Sequence, residues 1–120
     1  MILEFWLSWC EPCKRAFPGY QALVDRYPRD LAVLAISADE RESVHKVTLV
    51  QFARETGVTF AVLWNTDPDF AKTFGLVALP STLVLDRSGV VRYVQVGGTK
   101  GGDVTWIADR VEKLVRERTP

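Results

Sequence analysis

The feature that most constrains this 120-residue chain is the spacing of Cys10 and Cys13, the only two cysteines in the sequence. Residues 2–7 (Ile-Leu-Glu-Phe-Trp-Leu) are almost wholly apolar, which predicts a strand covered on both faces. Residues 14–27 show the apolar periodicity of a helix, and Pro12 falls in its first turn. A Cys-x-x-Cys pair at a strand-to-helix turn is typical of a redox dithiol, because unpaired N–H groups and the helix dipole favour a thiolate there.

Three other roles for the pair stay open on the residues alone. A structural zinc site needs about four protein ligands, and only His45 could add an imidazole. A structural disulfide with two intervening residues closes a very small loop, which constrains the unfolded chain little. The third possibility is a pair of unreactive thiols. A reversible dithiol/disulfide centre fits the pattern best, with no metal and no cofactor beyond the disulfide itself.

Composition restricts the domain count and the partners. With 48% hydrophobic and 25% charged residues, residues 1–120 fit a single globular domain. Fifteen basic and fifteen acidic residues give a formal net charge of zero, which argues against nucleic acid or an anionic membrane as the main partner. No apolar run approaches the ~20 residues that span a bilayer. Met1 leads straight into the first strand without the basic region of a signal peptide.

The remaining sequence predicts an alternating α/β domain, because short apolar runs alternate with helical periodicity. Glycine in the turn 86–89 predicts a closing hairpin, so the sheet is mixed, and helices lie on both of its faces. The further predicted strands are 31–37, 59–64, 82–86 and 90–96; the further helices are 43–56, a short one with Asp67 as N-cap, Pro68 as first residue and Gly75 at its end, and one from Asp103 onward.

Several polar segments predict no chemistry of their own. Residues 39–42 (Asp-Glu-Arg-Glu) predict a solvated charged turn, and His45 an exposed position on a helix. The glycines of 97–102 predict a flexible connector, since the segment lacks the features of a phosphate-binding loop. Lys14 and Arg15 are either solvated surface or cations that favour the thiolate.

Glu4 is the one charged residue in the first strand. If its carboxyl group is buried, desolvation should raise its pKa. Two interpretations remain open at this point. Glu4 either points to a solvated edge of the sheet or lies beneath the dithiol, where it could accept the proton of the second thiol.

With these elements the chain resembles the thioredoxin superfamily. The resemblance rests on Trp-Cys-x-Pro-Cys-Lys after a strand containing Phe-Trp, on Pro18, on the segment 79–82 (Leu-Pro-Ser-Thr), and on the closing hairpin and helix. An αβ insertion at about 38–66, before Pro80, is similar to the TlpA/ResA-like branch of thiol-disulfide oxidoreductases, which is related to AhpC/TSA proteins. The resemblance implies a thioredoxin fold with four helices and five strands in the order 59–64, 31–37, 2–7, 82–86, 90–96.

The resemblance also implies roles for individual residues. Cys10 would be the attacking cysteine and Cys13 the buried resolving cysteine, with Trp9 as the aromatic residue that shields them. Pro80 would follow a cis peptide bond, and the backbone of Leu79 would pair with a bound substrate. Glu11 and Pro12, between the cysteines, would also contact the substrate, and Val77 and Ala78 would extend its apolar docking surface.

Two departures from the family pattern matter. Thioredoxins have Asp where this chain has Glu4, many members of the branch have Asn there, and some carry a Glu where this chain has Ala16. We therefore hypothesise that the strand supplies the buried carboxylate through Glu4. In addition, the family's extra N-terminal strand or hairpin has no counterpart before Met1. Two interpretations stay open: the segment is absent from this sequence, together with any export signal or anchor, or the protein is close to the minimal core of the fold. The resemblance favours an extracytoplasmic location.

The functional expectation is a thiol-disulfide oxidoreductase that reduces disulfides of partner proteins and is recharged by an electron-donating dithiol protein. One alternative is a non-catalytic binding or redox-sensing module with the same fold. The other is a peroxiredoxin-like peroxidase, which is disfavoured because Leu7 stands where that chemistry needs Thr or Ser, three residues before Cys10.

Overall fold

The computed structural model of the chain describes residues 1–39, 46–65, 67, 69–76, 78–97 and 100–117, with the side chains of 46–48 and 100 outside this description. The strands are β1 (Ile2–Trp6), β2 (Val33–Ser37), β3 (Ala61–Trp64), β4 (Ser81–Leu85) and β5 (Val91–Val96). The helices are α1 (Glu11–Arg26), α2 (Lys46–Thr56), α3 (Phe70–Thr73) and α4 (Thr105–Arg116), with a short 3-10 turn at Lys100–Gly102 before α4.

The five strands form one mixed sheet in the order β3-β2-β1-β4-β5. β1 runs parallel to β2, and β2 runs parallel to β3. β4 is antiparallel to both β1 and β5. The predicted α/β thioredoxin fold and strand order are therefore confirmed, and α2 with β3 forms the predicted insertion before Pro80.

Both faces of the sheet are covered, because β1 is buried along its whole length and its side chains alternate between them. Ile2 and Trp6 belong to the larger cluster, which contains buried residues of α1, α2 and α4. Leu3 and Phe5 belong to a smaller cluster on the other face, with Phe70 of α3 packed against it. The strand that precedes Cys10 is thus buried between two apolar layers, and Glu4 is its one charged residue.

Three local predictions need correction. The regular part of the short third helix begins at Phe70, with Asp69 in the N-cap position but without a side-chain cap hydrogen bond, and the carboxylate of Asp67 accepts the N–H of Asp69 (2.9 Å) in the turn ahead of the helix. Gly75 ends that region with φ +67°, as predicted. Residues 100–102 are packed against α1 and do not form a free connector. Asp39, predicted as solvated, is buried.

Some predictions fall on parts of the chain outside the described residues: the helix start at 43, His45, residues 40–42, Pro68, Val77 and residues 98–99. Among the described residues, no helix is long and apolar enough to cross a membrane.

Candidate functional site

The two cysteines lie at the start of α1 and are joined by a disulfide. Cys10 is the N-cap residue, with extended backbone at φ −89° and ψ 104°. The N–H of Cys13 points to Cys10 Sγ at 3.3 Å, so one of the unpaired donors of the helix start is directed at that sulfur. Cys10 is half-buried, whereas Cys13 is 3% exposed. Cys10 is therefore the more accessible of the two sulfur-bearing residues.

A second loop lies at the same end of the central strands as the cysteines. β1 and β4 are antiparallel and Phe5 pairs with Ser81, so the end of β1 meets the start of β4. Pro80, directly before β4, follows a cis peptide bond from Leu79, as the resemblance implies. The carbonyl of Pro80 accepts the N–H of Gly97 (2.9 Å), which fixes this loop to the end of β5.

The apolar residues around this end of the central strands differ in exposure. Trp9 is 72% exposed, the largest fraction among the large hydrophobic side chains of the described residues. Ala78 is exposed, and Leu79 is half-buried against the smaller cluster. Trp9 is thus open to a partner molecule, and its exposure gives no direct support for the shielding role that the resemblance implies.

Glu4 is buried at 2% exposure, so its placement at a solvated edge is wrong. The hydroxyl of Tyr20 donates to Glu4 Oε2 at 2.8 Å, and the hydroxyl of Thr82 donates to the same oxygen. Burial raises the pKa of Glu4 to about 7, against the opposing effect of these two hydrogen bonds. Burial also raises the pKa of Tyr20, which keeps its hydroxyl a donor. Glu4 faces the layer between β1 and α1 that also contains Cys13.

The charged side chains on the first turn of α1 pair with each other. Lys14 Nζ lies 2.8 Å from Glu11 Oε1, and this hydrogen bond lowers the pKa of Glu11. Pro12 is exposed beside them. Arg15 packs against Gly102, away from this pair. Of the two roles left open for Lys14, the contact supports a surface ion pair.

Asp39 is the polar residue near the site that the sequence reasoning missed. Its carboxylate accepts the N–H of Ser8 at 2.9 and 3.1 Å, the hydroxyl of Ser8 at 2.8 Å and the hydroxyl of Ser37. The signal for this contact is the register of the two strands, which local composition does not give. Trp6 pairs with Ser37 in the parallel β1–β2 ladder, so the residues two positions further on, Ser8 and Asp39, leave the sheet side by side.

Comparison with known proteins gives relatives along most of the chain. The thiol-disulfide oxidoreductase ResA of Bacillus subtilis (strain 168) is 32% identical over 97 residues, 81% of this chain and 52% of that protein. The sporulation thiol-disulfide oxidoreductase A of the same organism is 25% identical over 96 residues, 80% of this chain and 58% of that protein. The chain thus spans little more than half the length of these two relatives.

A solved structure supports the same grouping. The solution structure of a thioredoxin-like protein from Porphyromonas gingivalis superposes with a TM-score of 0.77 at 27% identity, covering 100% of this chain and 78% of that one. The resemblance to ResA-like proteins and to the thioredoxin fold is confirmed by these matches. The AhpC/TSA family model matches residues 1–94, well over half of the sequence, and the chain therefore belongs to the AhpC/TSA family.

Proposed function

We propose that this protein is a thiol-disulfide oxidoreductase that reduces disulfide bonds of partner proteins. The observation that carries the proposal is the geometry of the pair: a half-buried Cys10 at the N-cap of α1, with the N–H of the buried Cys13 directed at its sulfur. This arrangement favours a thiolate at Cys10 in the reduced state, and the thiolate is the species that attacks disulfides.

The reaction would proceed in two exchanges. The Cys10 thiolate attacks one sulfur of the substrate disulfide, which forms a mixed disulfide and releases the other substrate sulfur as a thiolate. Cys13 then gives up its proton and attacks Cys10 Sγ, which closes the Cys10–Cys13 disulfide and releases the second substrate thiolate. Two electrons pass from the protein to the substrate, and an electron-donating dithiol protein restores the reduced pair.

Glu4 is the proposed acceptor for the Cys13 proton. Its carboxyl group faces the layer that holds Cys13, and its pKa of about 7 lets it exchange a proton near neutrality. Trp9, Glu11, Pro12, Leu79 and Pro80 are the proposed substrate contacts: Trp9 is the exposed apolar side chain next to Cys10, and the Pro80 loop lies at the same end of the central strands.

Insulin reduction driven by dithiothreitol tests the proposed activity. The wild-type protein should accelerate the reaction well above the Cys10→Ala variant, which lacks the attacking sulfur. Cys13→Ala should accumulate a mixed disulfide with the substrate, visible as a shifted band on a non-reducing gel. Wild-type turnover equal to that of Cys10→Ala would contradict the proposal and favour a non-catalytic binding module.

The role of Glu4 has its own test. Glu4→Gln removes the proton acceptor, so the resolution of the mixed disulfide should slow by about tenfold or more above neutral pH. Rapid-mixing measurements of mixed-disulfide decay from pH 6 to 9 would show this. Glu55→Gln, which replaces an exposed glutamate on α2, is the matched control. Equal decay rates for Glu4→Gln and the wild type over the whole range would rule out the proton transfer.

A further inference from the structure

A buried carboxylate clamps the loop that leads into the cysteine pair. Asp39, 5% exposed, lies two residues after β2. Both of its carboxylate oxygens accept the backbone N–H of Ser8, and Oδ1 also accepts the Ser8 hydroxyl. The hydroxyl of Ser37 donates to Oδ2, and the indole of Trp64 donates to the Asp39 carbonyl at 3.1 Å. Asp39 is thus tied to β2 and β3 on one side and to the loop on the other.

The clamped residue sits inside the turn that delivers Cys10. The N–H of Cys10 donates to the carbonyl of Leu7 at 3.0 Å, so residues 7–10 close a four-residue turn. Ser8 and Trp9 are the two central residues of that turn. Fixing Ser8 therefore fixes both the placement of Cys10 at the helix start and the direction in which Trp9 is presented.

We propose that Asp39 is a positioning residue for Cys10: through Ser8 it holds the turn 7–10 so that the Cys10 sulfur stays over the first N–H groups of α1. The inference rests on the proposed oxidoreductase function, since it assigns how the attacking sulfur of that reaction is held. Asp39 therefore acts on Cys10 through Ser8.

The position of the Cys10 sulfur and the negative charge of Asp39 affect the Cys10 thiolate in opposite directions. Variants that lose the charge alone, or the charge together with the clamp, therefore distinguish the two effects. Loss of the clamp lets the sulfur move off the helix start, which should disfavour the thiolate. Loss of the buried negative charge alone should favour the thiolate, because a like charge nearby is removed. The other charged groups on this side, Glu4 on β1 and Glu11 and Lys14 on α1, stay the same in every variant below.

The measurement is the pH midpoint of Cys10 alkylation by iodoacetamide in the reduced full chain, with the alkylated site verified by mass spectrometry. Asp39→Ala removes acceptor and charge, and its midpoint should lie about half a pH unit or more above that of Asp39→Asn, which lacks the same charge. Asp39→Asn keeps an acceptor oxygen for Ser8 without the charge, and its midpoint should lie at or below the wild-type value. Equal midpoints for Asp39→Ala and Asp39→Asn would overturn the proposal.

The control is Asp86→Ala, which removes a carboxylate that likewise accepts backbone N–H groups, those of Ser88 and Val90, in the β4–β5 hairpin. Its alkylation midpoint should equal that of the wild type. If Asp39→Ala does not fold, Asp39→Leu decides the question, because it fills about the volume of Asn without an acceptor oxygen or a charge: a midpoint above that of Asp39→Asn supports the proposal, and an equal one overturns it.

The insulin assay on the wild-type protein separates the two proposals. If the wild type reduces insulin while the alkylation midpoints fail to follow the expected order, the Asp39 proposal is wrong and the proposed function stands. If the midpoints follow the order but the wild type does not reduce insulin, the clamp on Cys10 stands and the proposed function is wrong.

Discussion

Glu4 is a carboxylic acid in the middle of the central strand, and its environment favours the protonated form. Two hydroxyl groups, of Tyr20 and Thr82, donate to one of its oxygens, yet burial still raises its pKa from the ordinary 4.5 to about 7. The folded state therefore holds a proton that the unfolded state releases between these two pH values. A group of this kind couples the stability of the domain to pH.

The first prediction is that the free energy of unfolding decreases as the pH rises from 4.5 to about 7. Because the pKa of Glu4 is higher in the folded state, its favourable contribution is fully present below pH 4.5 and is lost as the pH rises through about 7. The free energy of unfolding should fall over this range by about 3 kcal/mol, at ~1.4 kcal/mol per pH unit. Urea titrations of the oxidised protein from pH 4.5 to 8 measure the fall.

The variant Glu4→Gln should lose this pH dependence, since it has no carboxyl group to ionise. Glu55→Gln, on the exposed face of α2, should retain the wild-type pH dependence. A fall in Glu4→Gln as steep as that in the wild type would assign the effect to other groups.

The contrast between Glu4 and Asp39 shows what the sequence can reveal about single residues. Glu4 interrupts an apolar run, so its burial beside the dithiol was one of two open interpretations. Asp39 begins a charged run, Asp-Glu-Arg-Glu, whose composition is that of a solvated turn. Its burial depends on the pairing of Trp6 with Ser37, a contact between segments 31 residues apart that local composition does not encode.

At the scale of elements, the packing of the 3-10 turn Lys100–Gly102 on α1 depends on a glycine. Gly102 has φ +87°, and a Cβ at this position would lie 2.6 Å from Arg15 Cβ and 2.7 Å from the Arg15 carbonyl carbon. Gly101 has φ +62°, but a Cβ there would meet nothing within 4 Å. Substitutions at these two glycines therefore distinguish two costs of a side chain. At Gly101 only the positive φ disfavours a Cβ, whereas at Gly102 the close approach to α1 is added.

The second prediction compares alanine at these two sites. Gly101→Ala should lower the free energy of unfolding by about 1 kcal/mol, because a residue with a Cβ is strained at positive φ. Gly102→Ala should lower it by about 3 kcal/mol, because the same strain is joined by a clash with α1. Urea denaturation of both variants measures the difference. Equal losses would mean that the turn can move away from α1 at little cost.

Elements with a long apolar run or a strong helical periodicity were predicted well, whereas the start of the third helix was ambiguous. β1, α1 and α4 follow apolar patterns long enough to specify them. The third helix has two aspartates, Asp67 and Asp69, each of which is a good N-cap residue. The sequence does not distinguish them: in the structure the regular helix begins after Asp69, which makes no side-chain cap hydrogen bond, while the carboxylate of Asp67 accepts the N–H of Asp69 in the preceding turn.

At the scale of the whole molecule, one aromatic cluster joins the central strand, the site helix and the insertion. The Phe17 ring on α1 lies 4.9 Å from Trp6 of β1, 5.3 Å from Phe52 of α2 and 5.4 Å from Phe60, just before β3, measured between ring centroids. Phe17 is fully buried. Because its ring contacts three separate segments, it couples the α2–β3 insertion to the helix that carries Cys13.

The third prediction tests that coupling. Phe17→Ala should lower the free energy of unfolding by about 3–5 kcal/mol, a large share of the stability of a small domain. Phe74→Ala is the matched control: Phe74 is 43% exposed and lies 5.0 Å from the Phe5 ring on the other face, so its loss should be near 1 kcal/mol. Urea denaturation of both variants compares these losses.

Amide hydrogen exchange then shows where stability is lost. If Phe17 couples the elements, amides of α1 and of the α2–β3 insertion should lose protection together in Phe17→Ala, because both segments pack on the same ring. The amides of β4, on the other side of β1, should keep more of theirs. Protection lost in α1 alone would mean that the insertion is held to the sheet independently, by the β2–β3 ladder and by the bond from Trp64 to the carbonyl of Asp39.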